Sequence, residues 1–127
     1  MNEIIKFLKK RRSVTAKKML PGKVKDNDLR DILECALRVP DHGALSPWKI
    51  VVIQNDMRKT IGEKILLPEF KKYNDNFDEE KLLFEKNRFL RADKIIAVIY
   101  SPVESLKIPD WEMMLSTGAV CQNITIA

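Results

Sequence analysis

The sequence predicts a mixed fold of helices and strands, on three observations. Residues 49–53 (Lys-Ile-Val-Val-Ile) and 94–100 (Lys-Ile-Ile-Ala-Val-Ile-Tyr) are short β-branched runs that read as buried strands. Apolar residues at helical spacing occur before, between and after them. Leu29, Ile32, Leu33, Ala36 and Leu37, at i, i+3, i+4, i+7 and i+8, form the cleanest stripe. The composition, 45% apolar and 32% charged over 127 residues, is that of a folded chain and suits a single domain spanning 1–127.

Taken in order, Ile4, Ile5 and Leu8, flanked by Phe7, mark one face of a short first helix that runs into Arg11-Arg12-Ser13. Pro21-Gly22 is a turn signal. Asp26 is the expected N-cap of the next helix, and Pro40 stops it. Residues 41–48 (Asp-His-Gly-Ala-Leu-Ser-Pro-Trp) carry turn chemistry. After the first strand, Gln54-Asn55-Asp56 leads to a helix over 57–67. Residues 68–80 are polar and charged and are expected as a mobile surface stretch. Residues 80–90 read as helix, 94–100 as the second strand and 101–109 as loop. A last helix from Asp110 carries Trp111, Met114, Leu115, Gly118, Cys121 and Ile124. Strands separated by helices are expected to run parallel and to be covered on both faces. Two strands make a poor sheet alone, so a partner subunit or further chain is expected to complete it.

Composition excludes several chemistries. Cys35 and Cys121 do not make a disulfide framework and are expected to be buried small hydrophobes. One histidine, His42, excludes zinc sites that need two imidazoles, and no CxxC occurs, so no metal site is expected. There is no GxSxG elbow, P-loop or GxGxxG. No apolar run is long enough to span a membrane, and the N-terminal order of apolar then basic residues is the reverse of a secretory signal. The net charge of +5 is local. Residues 1–25 hold nine bases and one acid, and the remainder carries −3. Solvation, a phosphate ligand, nucleic acid or an anionic membrane would each account for such a patch.

Three ordered segments carry a resemblance: Arg11-Arg12-Ser13; the Pro40-Asp41-His42 loop closed by Pro47-Trp48; and Trp111-Glu112 through Ser116-Thr117-Gly118-Ala119 to Gln122-Asn123. Together they resemble the flavin-dependent nitroreductase family, in particular its short, minimal branch. The resemblance implies an α+β, three-layer fold with helices around a central mixed sheet, forming an intertwined, cytoplasmic homodimer. It implies two FMN molecules at the subunit interface. Hydride would pass from NAD(P)H to flavin N5 and on to a nitroaromatic, quinone or similar small-molecule acceptor, in ping-pong fashion. By this likeness Arg11, Arg12 and Ser13 contact the phosphate, ribityl chain and ring edge from one subunit. Arg38, Pro40, Asp41 and His42 belong to a loop from the other subunit that covers the isoalloxazine. No side chain is expected to be an obligatory catalytic group, because the flavin carries the redox chemistry.

Guanidinium and hydroxyl donors match phosphate oxygens. The alternative for Arg11 and Arg12 is cations placed against the dipole of a helix C-terminus. The alternative for His42 is an exposed loop histidine or a helix-terminus contact. Trp48 either fixes the loop entering the strand or touches the flavin. Two departures from the family stand out. Thr15 and Ala16 follow Ser13 where many members carry another arginine, the next base being Lys17. The later strands, basic residue and C-terminal arm of the family have no counterpart before Ala127, so the chain is expected to be C-terminally truncated relative to it. Rival readings are a non-enzymatic relic that no longer binds FMN, relatives on the same fold that cleave reduced FMN or dehalogenate, and a basic nucleic-acid module. The last lacks interleaved aromatics and any known binding motif, so no nucleic-acid partner is expected.

Overall fold

A computed structural model of the chain describes every residue except Met1, Pro21 and Lys23. Helices α1 (Glu3–Lys10) and α2 (Asp26–Ala36) precede strand β1 (Trp48–Ile53). Helix α3 (Asp56–Ile61) continues through a π turn, Gly62–Leu66, into α4 (Leu67–Tyr73). Then come α5 (Glu79–Lys86), strand β2 (Ile95–Tyr100) and α6 (Asp110–Ile126). Short 3₁₀ turns lie at Ala16–Lys18, His42–Ala44 and Arg88–Arg91. The expected Pro21-Gly22 turn falls partly outside the described residues. Gly22 itself sits in a turn at φ +70°, where glycine is the unstrained choice.

The chain divides into two compact units. The first comprises the stretch up to Val14 with Lys25–Val51 and Val98–Ala127; the second comprises Thr15–Val24 and Val52–Ala97.

In the first unit, α2 packs along α6. Ala36 and Val120 are fully buried there, with Met113, Ser116 and Thr117 nearly so. These small and flexible side chains let the two helices approach closely. Helix α2 starts one residue earlier than expected. Lys25 is the N-cap and Asp26 the first helical residue, while the Asp28 carboxylate accepts the Lys25 N–H at 3.1 Å. Both cysteines are exposed, against expectation. The α2–α6 contact runs along Ala36 and Val120, and Cys35 and Cys121 each stand one residue off that seam. Helix α1 is capped by Asn2, whose Oδ1 accepts the Ile4 N–H at 2.8 Å. Its apolar stripe of Ile4, Ile5, Phe7 and Leu8 is exposed.

In the second unit, α5 folds back on the long helix formed by α3, the π turn and α4. Gly62 is buried where the two meet. The Lys86 ammonium reaches the Glu63 carboxylate at 3.1 Å. Buried Glu85 is paired with the Arg88 guanidinium at 2.7 Å. Asp93 accepts the Val24 N–H at 3.3 Å, and Arg58 donates to the Ala92 carbonyl. Residues 68–73, expected as surface stretch, are helical. Pro68 lies in the first turn of α4, directly past the π turn, whose wider backbone gives room for a ring that an ordinary helix interior would reject. The helix expected over 80–90 ends as α-helix at Lys86 and tightens into the 3₁₀ turn.

The two strands pair with each other and run antiparallel, not parallel. At one end the Ser101 N–H donates to the Pro47 carbonyl at 2.9 Å; at the other the Lys94 ammonium donates to the Gln54 amide oxygen at 3.1 Å. A parallel crossover needs one helix to carry the chain back along the sheet. Here the connection is a helical hairpin, out along α3–α4 and back along α5, so the chain returns to the end it left. The strands are mostly half-buried, not buried as expected. The sheet is the incomplete one that two strands imply.

Candidate functional site

The loop after α2 is built by local chemistry. Asn123 of α6 donates from Nδ2 to the carbonyls of both Cys35 and Arg38, each at 3.0 Å. It thereby gives the Arg38 carbonyl a donor, adds a second one to the Cys35 carbonyl, which already accepts the Arg38 N–H at 3.1 Å, and ties the start of the loop to α6. The Asp41 carboxylate accepts the Ser46 N–H at 2.7 Å, closing the loop on itself. Between them the backbone takes left-handed values at Gly43 (φ +75°), Ala44 (φ +52°) and Ser46 (φ +47°). For alanine and serine this conformation is strained and must be held by its surroundings. Pro47 closes the loop and is fully buried. Its carbonyl receives the Ser101 N–H and lies 3.1 Å from the Thr117 hydroxyl.

His42 stands on this loop. Its Nδ1 lies 2.8 Å from Glu112 Oε2 in the first turn of α6; the imidazole is 66% exposed and the carboxylate 29%. Pro40, His42, Glu112, Leu115, Ser116 and Ala119 line an open cleft of about 310 Å³ between the loop and α6. Of the residues expected to form one half of the site, Pro40 and His42 therefore face the cleft. Asp41 shapes the loop, and Arg38 marks its start. Glu112 is the member that residue-by-residue reading did not single out. It lies seventy positions from His42, and its signal in the sequence is the Trp111-Glu112 pair that carries part of the family resemblance without a site role of its own.

The other expected group, Arg11, Arg12 and Ser13, follows α1. The Arg11 N–H caps that helix by donating to the Phe7 carbonyl at 2.8 Å. Arg11 is half-buried, whereas Arg12 and Ser13 are exposed. Neither guanidinium forms an ion pair among the described residues. Among the described residues no hydrogen bond joins this group to residues 38–42. Two free guanidinium groups beside a hydroxyl are a donor set that fits a phosphate dianion. Among the described residues no cluster of side chains suits a metal ion, and no helix is long and apolar enough to cross a membrane.

The N-terminus of α6, which presents Glu112, is anchored to β2. The Tyr100 hydroxyl donates to Asp110 Oδ1 at 2.7 Å. Burial, reinforced by the adjacent Asp110 carboxylate, pushes the phenol from its usual 10.0 up to about 12. The folded chain thus keeps a proton that the unfolded chain releases. The stabilisation is complete below pH 10 and is lost as pH rises toward the folded value. Denaturant unfolding across this alkaline range should show stability falling with pH, and Tyr100→Phe should flatten that limb. An unchanged slope in the variant would remove Tyr100 as the anchor.

A family model for the nitroreductase family matches residues 8–127. A Haemophilus influenzae protein provisionally named an NAD(P)H nitroreductase is 33% identical over 102 residues, covering 78% of this chain and 53% of that protein. Escherichia coli K12 YdjA, named in the same way, is 28% identical over 99 residues, covering 78% of this chain and 52% of its own. The crystal structure of a nitroreductase-like family protein from Bacillus cereus covers 99% of this chain and 64% of its own at TM-score 0.70 and 24% identity, a likeness of fold. The chain spans about half the length of the curated relatives it matches.

Proposed function

The chain belongs to the nitroreductase family, and from that premise we propose that it serves an FMN-dependent oxidoreductase that takes electrons from NAD(P)H and delivers them to nitroaromatics, quinones or similar acceptors in the cytoplasm. One observation carries the cofactor reading: among the described residues Arg11 and Arg12 hold two guanidinium charges without an ion-pair partner, next to Ser13 in the sequence. These three residues would bind the phosphate and the adjoining ribityl chain. The loop of Arg38, Pro40, Asp41 and His42, fixed by Asn123 and by Asp41 itself, would cover the ring system from the partner subunit and keep water from it. When bound, FMN supplies the two-electron relay between NAD(P)H and the acceptor.

A homodimer with the cofactor at its interface gives the exposed apolar faces their use. On α6, Trp111, Met114 and Leu115 are 61%, 55% and 66% exposed. The α1 stripe is exposed as well. Contiguous apolar surface of this kind marks association sites. Met114→Glu should leave the fold of the isolated chain intact, because the side chain already stands in water, and should convert the dimer to monomer by light scattering. A variant that stays dimeric would take α6 out of the interface. The cofactor reading itself is tested by the visible spectrum. Purified or FMN-reconstituted protein should show flavin absorbance that NADH or NADPH bleaches. Protein that stays colourless after reconstitution would move the assignment to a relic without FMN.

A further inference from the structure

We infer that Glu112 is a positioning residue that locks His42 in the Nδ1–H tautomer, leaving Nε2 as the ring atom available to a ligand in the cleft beside α6. The inference rests on the proposed function for the identity of that ligand and on geometry for the rest. A carboxylate only accepts hydrogen bonds, so at 2.8 Å from Glu112 Oε2 the His42 Nδ1 must carry the proton. In the neutral ring Nε2 then holds the lone pair and accepts from a ligand N–H or O–H. The ring is held from both sides of the contact. Glu112 is fixed in the first turn of a helix whose inner face is buried on α2. His42 is fixed on a loop that Asp41, Gly43 and Pro47 constrain. Glycine is the unstrained residue at 43: its φ is +75°, and a Cβ there would lie 2.5 Å from Ile108 Cδ1, so the end of that buried side chain would have to shift. Such a built contact, at the edge of a cleft of about 310 Å³ that both residues line, is what orienting a ligand-facing imidazole needs.

His42 is the only histidine in the sequence, so the tautomer is readable directly. A long-range ¹H–¹⁵N spectrum of the labelled chain, at a pH where the ring is neutral, should show Nδ1–H and an unprotonated Nε2. Glu112→Gln preserves shape and a hydrogen bond, but its amide donates as well as accepts. It should therefore leave the melting temperature close to wild type while letting the Nε2–H tautomer appear. A merely structural role for Glu112 would not move that signal. With FMN as the probe, the Nε2 resonance of the wild type should shift on saturation. FMN affinity should fall about 5-fold in Glu112→Gln, the scale of one neutral hydrogen bond. An Nε2–H ring in the wild type, or an unchanged tautomer in Glu112→Gln, overturns the lock. A locked ring whose Nε2 signal ignores bound FMN overturns the ligand-facing role. Absence of FMN binding in a separate fluorescence titration would sink the functional reading, while the tautomer spectrum still decides the lock.

Discussion

Replacing Gly62 with alanine is expected to destabilise the chain by about 3 kcal/mol, toward the upper end of what overpacking costs. A Cβ at this position would sit 2.0 Å from the Lys86 carbonyl oxygen and 3.1 Å from its carbonyl carbon. Both are backbone atoms and cannot rotate aside, so α5 would have to retreat by about 1 Å from a close-packed contact. Helix propensity alone argues the opposite sign, since alanine gains up to about 1 kcal/mol over glycine inside a helix. The clash decides because it is with main chain. Retreat of α5 would also draw Lys86 from Glu63, whose carboxyl is held below its usual 4.5 chiefly by the hydrogen bond from that ammonium. Thermal unfolding should drop by roughly 10 °C for a chain of this size. Hydrogen exchange should show the loss first in α5 and the π turn. A variant melting with the wild type would mean that α5 does not approach Gly62 this closely.

The same glycine explains part of what the sequence does not disclose. The stripe over 29–37 is legible because it is local: it needs only helical spacing, and it packs on α6 by its smallest member, Ala36. The direction of β2 is not local. It depends on α5 folding back along α3–α4, a close approach permitted by one glycine within an ordinary helical run. Pro68 misleads in the other direction, since proline reads as a boundary unless a π turn makes room for it. On α6 apolar residues surround the helix, so spacing cannot tell which face is buried. Size does not tell it either: Met113, Ser116, Thr117 and Val120 go inward while Trp111, Met114 and Leu115 go out, so one methionine is buried and its neighbour exposed. The candidate site divides in the same way. Asp41, His42 and Gly43 announce a shaped loop by residue type. Glu112 and Asn123 stand in the segment that carries the family resemblance, but their part in holding that loop is visible only once α6 lies beside it.

Arg11→Ala is expected to weaken FMN binding at least 10-fold, the lower end of what a charge-assisted hydrogen bond of about 1.5–3 kcal/mol contributes. Two readings of this arginine make opposite claims. If Arg11 serves α1, a cation near a helix C-terminus adds roughly 0.3–1 kcal/mol to stability, and its loss should appear in unfolding with FMN affinity unchanged. If it serves phosphate, the unfolding midpoint without FMN should stay put, because the guanidinium has no ion-pair partner among the described residues to lose. The whole effect should then fall on the titration with FMN. Arg11→Lys separates charge from shape. An ammonium restores the attraction but not the planar, two-pronged donor, so affinity should recover only in part. Raising ionic strength should narrow the gap between wild type and Arg11→Ala, since screening weakens the charge–charge part of a contact that only the wild type makes. Loss of stability with intact FMN affinity would return Arg11 to the helix and leave the phosphate to other residues of the basic N-terminal segment.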